Sequence, residues 1–408
     1  MIEQLLESDN QKFDYLAPLP TETDILVIGG GIVGSSLAYF LGRGGAHTLL
    51  IDRGEINREA SGTNAGSFHF QIALHQLTSS DAADDVDRLL TEVRLHTEAA
   101  DLWKDMETEL RVDLGVHETG GLMVAETDEE LALLYTKQKI EAAAGLETHV
   151  LTGNELMDFA PYLAPDLKGA TLCPREGHAN PLLAVPLILM RAREFGVEVR
   201  TQAAVTSIEK IYDNTGSWFK VETSRGVVRA KRVVNAAGAW AEKISELVGH
   251  SLPTHSEGLH VNVTEPREHV LTPMLQHIGR RLTLKQTANG TFIIGGGWPA
   301  RPELQPRRYS NFWGSAAGNA AVAVRVMPEL ADVRLIRTWS GVMAFMNDLS
   351  PIVGESRAIP GYHVCIATTG FTLGPMMAQL LAESMLDANS DRIPLEYAVD
   401  RGLSVISR

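Results

Sequence analysis

Cysteine is almost missing from this chain. Cys173 and Cys365 are the only two in 408 residues, too few for a disulfide framework. At about four ligands per cluster they are also too few for a Cys-ligated iron–sulfur centre. Long hydrophobic runs are missing as well, since glycine or charge interrupts each apolar stretch before the roughly 18 residues of a membrane span. The first residues have no basic start and no apolar segment, so no secretory signal is expected and the cytoplasm is the default compartment. Positive charge is scarce: Lys and Arg number 36 against 51 Asp and Glu, a formal charge of −15. Such a surface repels phosphate backbones and no basic cluster offsets it, which argues against nucleic acid as a partner. Internal repeats and low-complexity tracts are absent, and no metal-ligand set is assigned.

What is present is an ordinary globular composition, 44% hydrophobic and 21% charged, with 36 Gly. The length predicts two domains. Residues 24–28 form a short apolar run that ends in glycines, the pattern of a buried parallel strand. A buried helix is predicted over 32–41, closed by Gly42, Gly44 and Gly45, and a second strand over 47–51. Helical spacing recurs at 81–110, 128–144 and 181–195, with strand-like pieces at 121–125 and 197–200. Residues 227–236 suggest a hairpin leading into a central strand. Alternation at 260–263 and 282–295 suggests a broad antiparallel sheet. A last strand at 364–368 precedes a helix from about 375 to 386. The expected fold is an α/β, Rossmann-like dinucleotide-binding domain plus an α+β domain with a large, mainly antiparallel sheet. The first is expected to be discontinuous, over 1–80, 165–255 and 335–408, and the second to occupy 81–164 and 256–334.

The turn after the first strand reads Gly29-Gly30-Gly31-Ile32-Val33-Gly34, a G-x-G-x-x-G fingerprint in its strand-to-helix setting. The first glycine permits the tight turn, Gly31 lets a pyrophosphate approach the backbone, and Gly34 allows close helix–strand contact. Asp52 ends the second strand about 20 residues on, where a ribose hydroxyl acceptor belongs. The fingerprint alone does not separate FAD from NAD.

Three further segments do. They are Glu59-Ala-Ser-Gly-Thr-Asn-Ala-Gly66, Val233-Val-Asn-Ala-Ala-Gly-Ala-Trp240 and Ala367-Thr-Thr-Gly-Phe-Thr-Leu-Gly-Pro375. Together with the fingerprint they resemble the D-amino acid oxidase superfamily, and within it the glycine oxidase and sarcosine oxidase branch, closest to the flavin subunits of heteromeric opine, proline and hydroxyproline dehydrogenases. The resemblance spans nearly the whole chain and implies a glutathione reductase type FAD domain. It assigns Gly29, Gly31, Gly34, Asp52 and Arg53 to the ADP half of FAD. Ser61, Asn64, Ala65 and Gly66 line the flavin, Val205 lies at the adenine, and Ala237 and Gly238 lie at the pyrophosphate. Gly370, Phe371, Thr372 and Leu373 reach the pyrimidine edge, where a helix N-terminus stabilises negative charge on reduced flavin.

The implied reaction is hydride transfer from the α-carbon of an amine to the flavin, with no obligatory protein base. The protein must hold the substrate carboxylate, a task suited to arginine. Segments that carry such arginines in glycine oxidases read Trp339-Ser-Gly-Val-Met343 and Thr368-Thr-Gly370 here, which puts a glycine-sized substrate in doubt. Arg281 is the replacement, sharing a strand face with Thr283 and Lys285, although a solvent-facing edge strand explains those charges equally well. His69 is a further substrate-facing residue or a packing histidine. His178 falls where flavin subunits of heteromeric sarcosine oxidase carry a histidine linked to FMN, so a second flavin at a subunit interface is considered, yet Asn180-Pro181 alone accounts for a helix start there. Ile293 stands where monomeric sarcosine oxidases carry an oxygen-activating lysine. The reading is therefore a dehydrogenase subunit for an opine- or hydroxyproline-like amine that passes electrons to partner subunits. An oxygen-using oxidase and a flavin-binding scaffold without turnover are the alternatives.

Overall fold

The computed structural model describes residues 15–78, 86–214, 216–346, 348–387 and 389–401. Strand β1 (Glu22–Ile28) runs into helix α1 (Ile32–Arg43), which returns the chain to β2 (Thr48–Ile51), parallel to β1. β1 alternates between two cores. Ile25 and Val27 pack under α1, while Leu26 and Ile28 face the opposite side of the sheet. A strand covered on both faces has no use for polar positions, hence the unbroken apolar run. Each of these side chains contributes about 1.5–3 kcal/mol by leaving water. Gly44 and Gly45 end the helix, Gly45 in the left-handed region at φ +83°.

β1 lies inside an eight-stranded sheet whose main path runs 352–355, 362–366, 226–235, β1, β2, 198–200. The strand Gly226–Asn235 is longer than the hairpin-plus-strand expectation: its first half pairs antiparallel with Gly216–Thr223 and its second half runs parallel to β1. Helices Pro181–Glu194 and Gly370–Leu386 pack on α1 on the same side of the sheet. Asn180 caps the first, its side chain accepting from the Leu182 N–H, with Pro181 in the first turn, as the Asn-Pro pair predicts. The second begins at Gly370, five residues before its expected start, and Pro375 lies inside it. The long helix after the flavin-loop segment is described as Val86–Leu110; residues 81–85 of the expected helix lie outside the described residues.

A second eight-stranded sheet runs 335–346, 254–266, 291–295, 283–286, 274–277, 121–125, 169–173, 149–152. Its pairings are antiparallel except for 274–277 against 121–125. The expected broad antiparallel sheet is present. It includes Gly169–Cys173 and Leu335–Met346, segments that the sequence-based division places with the dinucleotide domain. Leu282, Leu284, Phe292 and Ile294 form its core.

Candidate active site

The carboxyl ends of β1, β2 and the strands 226–235 and 362–366 open toward the second sheet, and a cavity of about 1520 Å³ lies between them. Open α/β sheets bind ligands at this edge, and the volume exceeds the roughly 300–1,000 Å³ of a drug-sized site. A dinucleotide and a small substrate fit together.

The fingerprint turn forms one wall. Gly29 has φ +117°, and a Cβ there would stand 2.4 Å from the Ala236 carbonyl oxygen; one on Gly34 would stand 1.9 Å from the Gly29 carbonyl. Only glycine closes this strand–turn–helix so tightly. Asp52 organises the turn, accepting from the N–H groups of Gly30 at 2.7 Å and Gly54 at 2.8 Å. Its carboxylate also lines the cavity. Ser61 accepts from the Ile32 N–H at 2.9 Å, binding the 60–66 loop to the first turn of α1. Arg53 stacks 3.6 Å over the Trp240 ring and pairs with Glu59 at 2.5 Å, closing that end of the cavity.

Of the residues assigned to the cofactor, Gly29, Gly31, Asp52, Arg53, Ser61, Asn64, Ala65, Val205, Ala237, Gly238, Gly370, Phe371 and Thr372 line this cavity. Gly34 packs under the turn and does not line it. Gly66 makes a backbone turn at φ +74° against the Ala179 carbonyl, and Leu373 is buried in the core. Both support the site from behind. The cavity holds glycine turns, a helix N-terminus free of acidic side chains in its first turn, and the Asp52 carboxylate. This donor set fits an anionic dinucleotide.

The substrate-side residues separate. Thr283 lines the cavity, alternating with the core residues Leu282 and Leu284. Arg281 lies just before the strand, which begins at Thr283. It is exposed at the rim, with Nη1 donating to the Gly297 carbonyl at 2.9 Å. Lys285 does not join them. Its Nζ lies behind the flavin loop, 3.3 Å from where a Gly66 Cβ would stand, and burial pushes its pKa down to about 7. It sits directly across the ladder from Ile293. The expectation that one strand face presents Arg281, Thr283 and Lys285 to the pocket thus holds for Thr283, puts Arg281 at the edge, and fails for Lys285, because loop 64–66 covers it. His178 is partly buried, with its ring 5.1 Å from that of His117. Burial, then the nearby Lys285, pushes its pKa down to about 3. His69 lines the cavity, its backbone N–H donating to Thr372 Oγ1.

Sequence reasoning does not reach Gln276, which lines the cavity and holds His69 Nδ1 at 2.9 Å. Nor does it reach Glu176, buried behind them. The buried helix-borne pair Lys137–Glu141, at 2.8 Å, extends the same polar layer. Gln276, a polar residue inside the fully buried strand Met274–His277, is the signal that points to such a layer.

The family model for FAD dependent oxidoreductases, DAO, matches residues 24–384. The chain belongs to this family. It is 28% identical to an opine oxidase polypeptide of Rhizobium meliloti, one of that enzyme's subunits, over 88% of this chain and 92% of that protein. It is 27% identical to mitochondrial sarcosine dehydrogenase of Mus musculus over 94% of this chain but 42% of that one. Among solved structures it superposes on an L-proline dehydrogenase from P. horikoshii with TM-score 0.82, at 23% identity, covering 93% of this chain and 97% of the other. A glycine oxidase from Geobacillus kaustophilus gives TM-score 0.81 at 21% identity, covering 94% and 100%. The FAD-binding fold with its added substrate domain follows. Among the described residues no helix is long and apolar enough to cross a membrane.

Proposed function

We propose that this oxidoreductase oxidises a secondary amine carrying a carboxylate, opine- or hydroxyproline-like, as one subunit of a larger dehydrogenase. The observation that carries the reading is the cavity itself, in which the glycine-rich wall of the first sheet faces Thr283, Gln276 and the rim arginine beside the second. The similarity along almost the full length of the opine oxidase polypeptide supports both the amine chemistry and a multi-subunit enzyme.

Bound FAD would supply the electron-accepting chemistry. The chain's own residues would orient the substrate, with Arg281 drawing the carboxylate at the rim and Thr283 and His69 flanking the reacting end. Electrons would leave through partner subunits, since two buried cysteines offer no cluster of their own. A second flavin, FMN, would belong to a subunit interface; acid extraction and chromatography of the flavins from the assembled complex counts it.

One observation favours the oxygen-using oxidase. Lys285, whose Nζ lies close to Gly66 of the 60–66 loop, sits directly across the ladder from the Ile293 position. Anaerobic mixing with a panel of secondary and primary amino acids tests the main reading. Flavin bleaching by an opine- or hydroxyproline-like amine supports it, no bleaching by any amine leaves only the scaffold, and hydrogen peroxide release at the dye-linked rate promotes the oxidase.

A further inference from the structure

Glu176 is fully buried and meets no cation at ion-pair distance among the described residues. It accepts instead from four N–H groups. Oε1 takes the backbone N–H of Phe70 at 2.8 Å and of Gln71 at 3.0 Å, and Oε2 takes the side-chain amides of Gln71 and Gln276, both at 2.8 Å. The space for its carboxylate exists because residue 121 is glycine: a Cβ there would stand 1.8 Å from Oε2.

This arrangement fixes the direction of the next two bonds. A carboxylate only accepts, so Gln276 must present its NH2 to Glu176 and its carbonyl oxygen to the other side. That oxygen lies 2.9 Å from His69 Nδ1 and can only accept, so Nδ1 carries the proton of the neutral imidazole. His69 Nε2 is left as a bare lone pair on a residue that lines the cavity, with no hydrogen-bond partner among the described residues. The His69 backbone is held too, by Thr372 in the first turn of the helix at the flavin side.

We infer that His69 Nε2 is the acceptor for the proton that a substrate ammonium sheds before oxidation. This rests on the amine-oxidising reading above. An amine with a lysine-like pKa, about 10.4, is protonated at neutral pH and has no lone pair with which to expel hydride. In the step, the N–H bond breaks, its electron pair stays on nitrogen, and the proton bonds to Nε2; no oxidant is consumed. The imidazolium so formed still donates through Nδ1 to Gln276, whose amide dipole is aligned by the Glu176 carboxylate, so the chain stabilises the product of the transfer. Glu176 and Gln276 are positioning residues, since neither is placed to take the substrate proton itself.

Two measurements test this in the FAD-loaded protein. Long-range proton–nitrogen correlation spectra of protein labelled with 15N-histidine, with the His69 signal assigned by its loss in His69→Gln, read the tautomer directly. The expected state is Nδ1–H, which Gln276→Leu converts toward the Nε2–H form common in water. An Nε2–H form in the unmodified protein overturns the proposal. The second measurement is the anaerobic rate of flavin bleaching by an active amine. His69→Gln is expected to bind FAD normally and to slow bleaching roughly 100-fold or more, the usual worth of a positioned proton acceptor. Added imidazole is expected to restore part of the rate in His69→Ala. Bleaching at full rate in His69→Gln overturns the proton step alone. Failure of the unmodified protein to bleach with any amine overturns the functional reading, and the proton step falls with it.

Discussion

At the scale of single residues, the cofactor wall leaves little tolerance. A Cβ at Gly31 would stand 2.9 Å from Ser61 Oγ, and a valine there adds branches on the side where pyrophosphate approaches. Gly31→Val is therefore expected to give a folded protein with little bound FAD, read from the visible spectrum after gel filtration; a fully yellow variant would remove the pyrophosphate from this turn. Arg281→Ala is expected to cost about 1.5–3 kcal/mol in kcat/KM for a carboxylate substrate, or ten- to a hundredfold. FAD content should be unchanged. Arg281→Lys should recover part of the loss, because an ammonium keeps the charge without the planar fork. Steady-state kinetics on the free acid and its amide decide, since a rim anchor matters only for the acid. Lys285 makes a stability prediction. Its pKa falls from about 10.4 unfolded to about 7 folded, so between those values the unfolded chain binds more protons and stability rises with pH. Below pH 7 the fold must bury the charge. Lys285→Met is thus expected to raise Tm at about pH 6 by more than at about pH 10, and a pH-independent effect would show that the ammonium is not desolvated.

At the scale of elements, the helix Gly370–Leu386 depends on a neighbour distant in sequence. Trp103 donates from its indole to the Thr372 carbonyl at 2.9 Å and packs against both Phe68 and Phe371. Trp103→Phe keeps a ring but loses that bond and part of the packing, with an expected cost of about 1–3 kcal/mol in urea unfolding. The same scale shows where sequence reading works. β1, α1 and β2 are legible because glycine punctuation and unbroken apolar runs coincide with full burial on both faces. The helix expected from about 375 starts earlier, because Pro375 is not its opening: the helix begins in the Thr-Thr-Gly stretch and tolerates the missing N–H one turn in. Leu335–Met346 is not legible as a strand because most of it is only partly buried, so no two-residue alternation is written into it. Trp313–Val326 hides for a related reason: its alanines and glycines are small on every side and carry little period. Of the site, the glycine-rich segments of the cavity wall are legible through their backbone demands. The Glu176–Gln276–His69 chain is not, because side chains from three separate segments meet only in the folded state.

At the scale of the molecule, two sheets supply the two sides of one cavity. Isolated protein supplied with its amine is expected to reduce an artificial dye faster than it releases hydrogen peroxide, if electrons normally leave through partner subunits. Parallel dye and peroxide assays on one preparation check this, and equal rates would favour the oxidase.

The cavity wall is also spread along the chain, with Gly29–Gly31, Ser61–Ala65, Ala203–Val205, Ala236–Trp240 and Ala367–Thr372 all contributing. Strand Tyr362–Ile366 pairs directly beside Gly226–Asn235, so the sheet edge that borders the cavity is incomplete without that late strand. A chain cut short before Thr372 therefore lacks part of that wall, which makes the completeness of the cavity a property of the polypeptide as a whole.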